Sequence, residues 1–246
     1  KSTLMKVLAG ALLPDAGVLF LEGKPIQPKS PQYAFRLGIR TVYQEFSLAP
    51  HLSVAENILL GQMPTGRFKW WVDWQQAYGL ADELLQSIGF KGVNVRSITS
   101  SLSVSHQQMV EIAKAVVRKP RILILDEPSA VLSQDELKQL FALINSLKQE
   151  STLVLYISHR LDEVFEIADR ITVLKDGETV GTVPPQAMTE NQLIKMMVGR
   201  PLEAIYPQRK GTPTKPFLEV NGLNKKDVFS DVSFRLAKGE ILGMFG

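Results

Sequence analysis

The sequence Leu102-Ser-Val-Ser-His-Gln-Gln-Met-Val-Glu-Ile-Ala-Lys-Ala115, with Arg121-Ile-Leu-Ile-Leu-Asp-Glu-Pro128 shortly after it, decides the fold of this chain. Ser103 predicts the start of a helix, because a serine side chain can accept a hydrogen bond from the first free amides of a helix. The apolar run 122–125 predicts a buried parallel strand that ends in two adjacent carboxylates, Asp126 and Glu127. Open α/β sheets bind ligands at this end of their strands, which makes both carboxylates candidate functional groups. A solvated Asp-Glu-Pro turn is the alternative.

Two further apolar runs also end in polar side chains. Residues 153–157 lead to His159, and residues 38–43 lead to Gln44. Both side chains would lie at the edge of a parallel sheet. If a nucleoside triphosphate and Mg²⁺ bind there, His159 would reach the γ-phosphate and the attacking water, and Gln44 would offer an amide oxygen to Mg²⁺. The alternatives are a strand-end histidine bonded to backbone and a surface amide.

The chain begins Lys1-Ser2-Thr3, which matches the end of a Gly-x-x-x-x-Gly-Lys-Ser/Thr phosphate loop. In such a loop the lysine pairs with phosphate oxygens, the hydroxyl after it binds Mg²⁺, and the amides of the following helix face the anion. The loop glycines are not in the sequence, so these residues carry weight only together with the other motifs.

The remaining pattern predicts an α/β protein. We expect helices at residues 1–9, 73–89 and from 105 onwards, together with strands at 18–21 and 38–43. Continuous apolar runs at 122–125 and 153–157 predict central strands covered on both faces. Ser133-Gln-Asp-Glu136 is a capping box that opens a helix through Leu147. Asp176-Gly177 joins strands 171–174 and 179–183 in a hairpin.

A second domain is predicted near the end of the chain. Residues 207–216 are rich in Pro, Gly and Lys and are interpreted as a linker after a first domain of residues 1–206. Residues 217–220 and 232–236 predict an antiparallel pair, and 238–243 a strand that feeds another phosphate loop. We therefore expect residues 217–246 to begin a second domain. The first residues read as a truncated phosphate loop, so we expect a fragment of a longer protein that is inactive alone.

Composition excludes several kinds of site and segment. The chain has 246 residues, a net charge of +3 and no cysteine, so disulfides and thiolate metal sites are excluded. Its basic residues are scattered, which argues against a nucleic-acid surface. The sequence has no apolar run long enough to span a bilayer, and we expect no signal peptide before the domain. Any role at a membrane is expected from outside the bilayer.

These motifs together resemble those of ATP-binding cassette proteins, and in particular the ATP-binding subunits of bacterial monosaccharide importers of the ribose, xylose and galactose type. Residues 43–58 resemble the glutamine-loop region of that group, 107–115 its signature helix, and 157–177 its histidine-loop region. The resemblance covers essentially the whole chain. It implies a P-loop NTPase fold with a mostly parallel central sheet, an antiparallel β subdomain and a helical signature subdomain at about 70–117.

The resemblance also implies roles for individual residues. Glu127, His159 and Gln44 would be catalytic, with Mg²⁺ held by Ser2, Gln44 and Asp126 and with ATP bound by Lys1, Ser2 and Thr3. Residues 103–107 would form a signature that acts on the nucleotide of the other cassette; they are Ser103, Val104, Ser105, His106 and Gln107. Ser133 occupies the D-loop position, where capping the next helix is its alternative role.

Ser105 and His106 depart from the family signature, which has Gly or Ala and then Gln or Glu at these positions. The departure puts the competence of this signature in question and keeps a binding-only cassette open as an alternative. A soluble tandem-cassette ATPase acting on ribosomes or nucleic acid is a further alternative, although those proteins have a long charged helical linker where this chain has a short one.

The resemblance predicts an ATPase subunit that powers monosaccharide uptake. Its partners would be a second cassette in the same chain, transmembrane permease subunits and, indirectly, a sugar-binding protein; nucleic acid is not expected. It would lie at the cytoplasmic face of the cell membrane as a peripheral protein. The sequence does not name the sugar, because in these systems the binding protein and the permease choose it.

Overall fold

The structure is a computed structural model that describes residues 1–66, 71–198, 216–226 and 228–244. Its contacts divide the chain into two units, Lys1–Val198 and Gly199–Gly246, each of which is described by itself. No helix in these described ranges has the length and hydropathy that a bilayer-spanning segment requires.

The first unit alternates helices with short strands. Its α-helices are α1 Ser2–Leu8, α2 Pro31–Arg36, α3 Val54–Ile58, α4 Trp74–Ser87, α5 Val104–Val116, α6 Gln134–Gln149, α7 Leu161–Ile167 and α8 Glu190–Val198. Its strands are β1 Leu19–Leu21, β2 Lys24–Ile26, β3 Ile39–Val42, β4 Ile122–Asp126, β5 Leu153–Ile157, β6 Ile171–Lys175 and β7 Glu178–Val183. Single 3₁₀ turns lie at Thr99–Ser101 and Pro185–Ala187.

The central sheet is parallel, with the order β3-β4-β5. Val42 pairs with Leu125, and Asp126 with Ile157, so the three strands reach the same edge in step. The hairpins β1-β2 and β6-β7 are antiparallel. This mixture of a parallel sheet, antiparallel hairpins and helices agrees with the α/β fold class predicted from the sequence.

Local signals placed the helix ends correctly. Ser103 caps α5, and Ser133 and Glu136 form the predicted capping box of α6. Helix α1 ends before Gly10, whose φ of +71° lies in the left-handed region. A Cβ atom at this position would lie 2.5 Å from the carbonyl oxygen of Ser30, so both the backbone conformation and the close approach require glycine.

The main core lies between one face of the sheet and helices α3, α4, α5 and α6. Its fully buried members include Val42 of β3, Leu123 and Leu125 of β4, and Ile112 of α5. On the other face, Met5 of α1 packs in a smaller cluster with residues such as Ile39 and Ile124. Side chains therefore cover β4 on both faces, as the sequence predicted.

The prediction of a central covered strand is wrong for β5. In the described sheet it is an edge strand, and Leu153 and Leu155 are 61% and 40% exposed. Val154 and Tyr156, on the opposite face, pack against the main core. A continuous apolar run is the same in either position, so the run alone did not distinguish an edge strand from a central one.

The described part of the second unit is a hairpin of β8 Pro216–Lys225 and β9 Phe229–Ala237. Leu218 pairs with Leu236, and Val220 with Phe234, which confirms the predicted antiparallel pair. The predicted strand 238–243 is wrong, because a turn at 238–239 is followed by irregular chain through 244. The described residues of this unit offer that segment no third strand to pair with. Residues 207–215 of the predicted linker lie outside the described residues, and Pro216 begins β8.

Candidate functional site

The candidate site lies at the edge where the three parallel strands end. Gln44 follows β3 by two residues, Glu127 follows β4 directly, and His159 follows β5 by two residues. Because Val42 pairs with Leu125 and the strands are parallel, these side chains leave the sheet at the same end. This is the edge at which open α/β sheets bind ligands.

Glu127 and His159 meet directly at this edge. The Nδ1 atom of His159 lies 3.3 Å from Oε1 of Glu127, and the histidine side chain is 66% exposed. The Glu127 amide donates to the carbonyl oxygen of Ile157 over 2.9 Å, which fixes its backbone to β5. Its φ of +51° is in the left-handed region, where a residue other than glycine is strained. Such strain persists only where the surroundings impose it, and it concentrates at functional sites.

Asp126, at the end of β4, is nearly buried, with 6% of its surface exposed. It ends β4 beside Ile157 of β5. A nearly buried carboxylate needs a charged or hydrogen-bonding partner, and a bound cation would serve as one. Asp126 therefore suits the role of a metal ligand better than that of a solvated turn residue.

Lys1, Ser2 and Thr3 lie at the exposed N-terminal end of α1. The described residues contain no hydrogen bond or ion pair that joins them to Asp126 or Glu127. Helix α1 is tied to the sheet by Met5, which packs in the same cluster as Ile124 of β4. The structure thus sets these three residues on a helix that packs against the strand that carries the carboxylates.

The predicted signature residues begin α5. The Ser103 hydroxyl accepts from the amide of His106 over 3.2 Å, and its oxygen lies 3.2 Å from that of Ser105. The side-chain amide of Gln107 donates to the carbonyl oxygen of Leu102 over 3.0 Å. The cap therefore already uses one of the first free amides of α5, that of His106.

The start of α6 lies close to these signature residues. The Glu136 carboxylate accepts from the Ser133 amide over 2.7 Å. Partial burial raises the pKa of Glu136, but bonds from Ser133 and Ser105, together with the nearby His106, outweigh it and hold the pKa below its usual range. Ser133 at the predicted D-loop position is thus the N-cap of α6.

Comparisons with known proteins identify the family of the chain. The family model described as "ABC transporter" matches residues 1–130, more than half of the chain. The chain belongs to the ABC transporter family. The cassette also resembles MJ1267, an ATP-binding cassette of an ABC transporter, with a TM-score of 0.67 and 24% identity over 80% of this chain and 82% of that one. At this identity the likeness supports the fold alone.

Curated relatives match the cassette along its whole length. It is 47% identical over 246 residues to the ribose import ATP-binding protein RbsA 1 of Rubrobacter xylanophilus, covering 100% of this chain and 48% of the relative. It is 40% identical, over 100% of this chain and 49% of the relative, to a putative ribose/galactose/methyl galactoside import ATP-binding protein of Geobacillus kaustophilus. The chain therefore spans about half the length of the curated relatives that it matches.

Sequence reasoning missed two buried carboxylates near the cassette's site. Glu163 of α7 is 1% exposed, and Glu111 of α5 is 3% exposed. Glu111 accepts from the Ser47 amide over 3.2 Å and from its hydroxyl over 2.5 Å. Ser47 also receives bonds from the Lys114 ammonium, at 3.0 Å to its carbonyl and 3.1 Å to its hydroxyl oxygen. The loop that follows Gln44 is thereby fastened to the signature helix.

Asn57, also missed, holds the other end of that loop. Its side chain is fully buried; it accepts from the Ala49 amide over 2.7 Å and donates to the Ala49 carbonyl oxygen over 3.0 Å. It also donates to the Thr99 hydroxyl over 2.8 Å. The sequence signal that could have found it is an asparagine placed between the apolar pairs Val54-Ala55 and Ile58-Leu59, because a polar group among core residues needs partners from elsewhere in the chain.

The strand edge fits Mg²⁺ bound together with a nucleotide. Across the parts of the chain that the structure describes, no three His, Asp, Glu or Cys side chains gather in a metal-binding cluster. Mg²⁺ in such sites needs only one or two protein oxygen ligands, because phosphate oxygens and water complete its octahedron. The near-buried carboxylate of Asp126 supplies one of them, which matches the ligand set of this kind of site.

Proposed function

We propose that this chain is part of the ATP-hydrolysing subunit of an ABC importer that couples ATP hydrolysis to monosaccharide uptake. The single observation that carries the chemistry is the pairing of Glu127 with His159 over 3.3 Å, beside a nearly buried Asp126. Relatives named as ribose or galactose import ATP-binding proteins, at 40–47% identity over the full chain, support the transport role.

In this proposal each side chain has one task. Glu127 orients the attacking water and accepts its proton, and the exposed His159 imidazole contacts the γ-phosphate. Mg²⁺ would be held by Asp126, Gln44 and Ser2. When bound, the cation would neutralise the charge that develops on the phosphate oxygens. Lys1, Ser2 and Thr3 would contact the phosphates at the start of α1.

The arrangement of the whole protein is also part of the proposal. Residues 1–206 would belong to a first cassette, 207–216 to a linker and 217–246 to the start of a second cassette. Relatives about twice the length of this chain support that arrangement. Ser103, Val104, Ser105, His106 and Gln107 would then complete the nucleotide site of the second cassette. The subunit would act as a peripheral protein on the cytoplasmic face, against permease subunits that receive sugar from a binding protein.

The test is ATP turnover by the full-length protein and two variants. Glu127→Gln keeps the side-chain shape but removes the base, so we expect ATP to bind normally while turnover falls by ~10²–10⁴. His159→Ala should also abolish most turnover. Glu178→Gln, an exposed position on the β6-β7 hairpin, is the control and should leave the rate unchanged.

Two results would count against the proposal. If either variant kept more than about half of the wild-type rate, the chemistry would lie elsewhere, since removing a general base costs orders of magnitude. If the wild-type protein bound ATP without turnover, the altered signature at Ser105 and His106 would favour a binding-only cassette. Sugar uptake by vesicles that contain the permease, with labelled ribose and galactose compared, tests the transport role separately.

A further inference from the structure

Helix α7 carries a carboxylate that the proposed chemistry does not use. Glu163 is 1% exposed, although Asp162 and Glu166 on the same helix are exposed. A fully buried carboxylate is rare, because removing its charge from water is costly unless partners replace the lost hydration. Its neighbours should therefore show what it is for.

Four side chains surround this carboxylate. Its Oε2 atom accepts from three hydroxyls: Ser129 at 2.6 Å, Tyr156 at 2.8 Å and Ser158 at 3.0 Å. Its Oε1 atom accepts no hydrogen bond within the described residues and forms an ion pair with Arg160, whose Nη1 lies 2.9 Å away. Burial is the largest cause that raises the pKa of Tyr156 above its usual range; a hydrogen bond with Ser129 lowers the pKa, and the Glu163 carboxylate raises it again, so the hydroxyl stays protonated at neutral pH.

These partners flank the two catalytic candidates. Ser129 lies two residues after Glu127, while Ser158 and Arg160 are the residues on either side of His159. The Arg160 amide also donates to the Ser158 hydroxyl oxygen over 2.9 Å, which closes the turn that presents the histidine. One carboxylate thus holds both the loop after β4 and the loop after β5.

The catalytic side chains need such support from their neighbours. The His159 side chain is 66% exposed, so packing restrains it little, and Glu127 has a strained backbone. Their separation of 3.3 Å depends on the relative position of the two loops. Misplacing a reacting group by about 1 Å can cost ~10²-fold in rate.

We propose that Glu163 is a positioning residue for hydrolysis, which fixes the loops of Glu127 and His159 relative to each other without touching the nucleotide. The inference rests on the proposed function for its kinetic consequence. The restraint that Glu163 places on the two loops can be observed without turnover, as protection of the amides of residues 157–161 from hydrogen exchange.

The experiment compares Glu163→Gln and Glu163→Ala in the full-length protein with Glu166→Gln, an exposed control on the same helix. In E163Q an oxygen remains for the hydroxyls, but an amide donor faces Arg160. We expect kcat to fall by about tenfold in E163Q and further in E163A, while KM for ATP stays within about twofold. Exchange of the amides of residues 157–161 should accelerate in both variants, with little change in E166Q.

Two readouts are decisive: whether kcat falls while KM stays unchanged, and whether the amides of residues 157–161 exchange faster. If E163A does not fold, E163Q and Tyr156→Phe, which removes one of the three hydroxyls, give the answer. Variants with kcat within about twofold of wild type and unchanged exchange at 157–161 would overturn the inference. So would a loss of rate that accompanies faster exchange throughout the protein, because that pattern indicates global destabilisation.

Failure of the inference and failure of the proposed function give different results. If wild type and E166Q hydrolyse ATP and E163Q matches them, only the positioning role is wrong. If wild type does not hydrolyse ATP, the proposed function fails. Unchanged exchange at 157–161 in E163Q would still refute the claim that Glu163 restrains the loops of Glu127 and His159.

Discussion

Replacing Glu111 is expected to release the loop after Gln44 from the signature helix. The buried carboxylate holds Ser47 through its amide and its hydroxyl, and Lys114 holds the same serine from the next turn of α5. Glu111→Ala removes both acceptors. Glu111→Gln keeps one oxygen but loses the charge.

The size of the effect follows from the number of bonds and their exposure. Hydrogen bonds to a charged group contribute ~1.5–3 kcal/mol each when the partners are otherwise unsatisfied. Ser47 is exposed, so water replaces part of what it loses. We therefore expect Glu111→Ala to lower the free energy of loop opening by about 2 kcal/mol, and Glu111→Gln to lower it by about 1 kcal/mol.

Hydrogen exchange measures this opening directly. A change of ~2 kcal/mol corresponds to about thirtyfold faster exchange, and ~1 kcal/mol to about fivefold. The acceleration should be confined to residues around 45–48 and absent from the helix ends of α6. Glu45→Gln, an exposed acidic residue of the same loop, is the matched control. Unchanged protection of the Ser47 amide in Glu111→Ala would refute the argument, because the structure gives that amide no other acceptor among its described bonds.

Two further predictions concern the cassette's contacts with other parts of the assembly. Phe46 is 36% exposed while Leu48 packs against the main core, so Phe46→Ala should lower sugar uptake in vesicles and leave basal ATP hydrolysis in detergent within about twofold; equal loss of both would indicate a folding role instead. Ser105→Gly should change overall turnover by less than about threefold, or ~0.7 kcal/mol, because in the proposed arrangement this signature would complete the second cassette's site and leave Glu127 and His159 intact. We expect the first cassette, with Glu127 and His159 intact, to do most of the hydrolysis. A tenfold rise in turnover on that substitution would show instead that the second site limits the rate.

The features that the sequence predicted correctly are local ones. Ser103 and Ser133 cap helices because their hydroxyls reach amides three residues away, and such spacing is visible in the sequence. The Asp176-Gly177 turn likewise joins β6 and β7 as predicted. Parallel strands that end in polar residues then place those residues at one edge, so Glu127 and His159 could be expected to lie near each other before any coordinates were known.

The features that were missed depend on contacts between distant residues. Ser47 and Glu111 are 64 positions apart, and Ser129 and Glu163 are 34 apart. In sequence, a glutamate on a helix usually indicates a solvated face. The available sequence signal was the apolar Val110 and Ile112 on either side of Glu111, which predict a helix covered on all sides; the structure buries both fully.

The exposure of the proposed catalytic side chains explains why buried carboxylates accompany them. In the proposed mechanism Gln44 and His159 meet a nucleotide that arrives from solvent, so neither can be held in place by being buried. The residues next to them are held instead: Ser47 by Glu111, and Ser158 and Arg160 by Glu163. A carboxylate suits this task, because it accepts several hydrogen bonds at once and can join segments that are distant in sequence. Substitutions that slow turnover without weakening ATP binding should therefore concentrate at residues that never touch the nucleotide, on the two helices that carry these carboxylates.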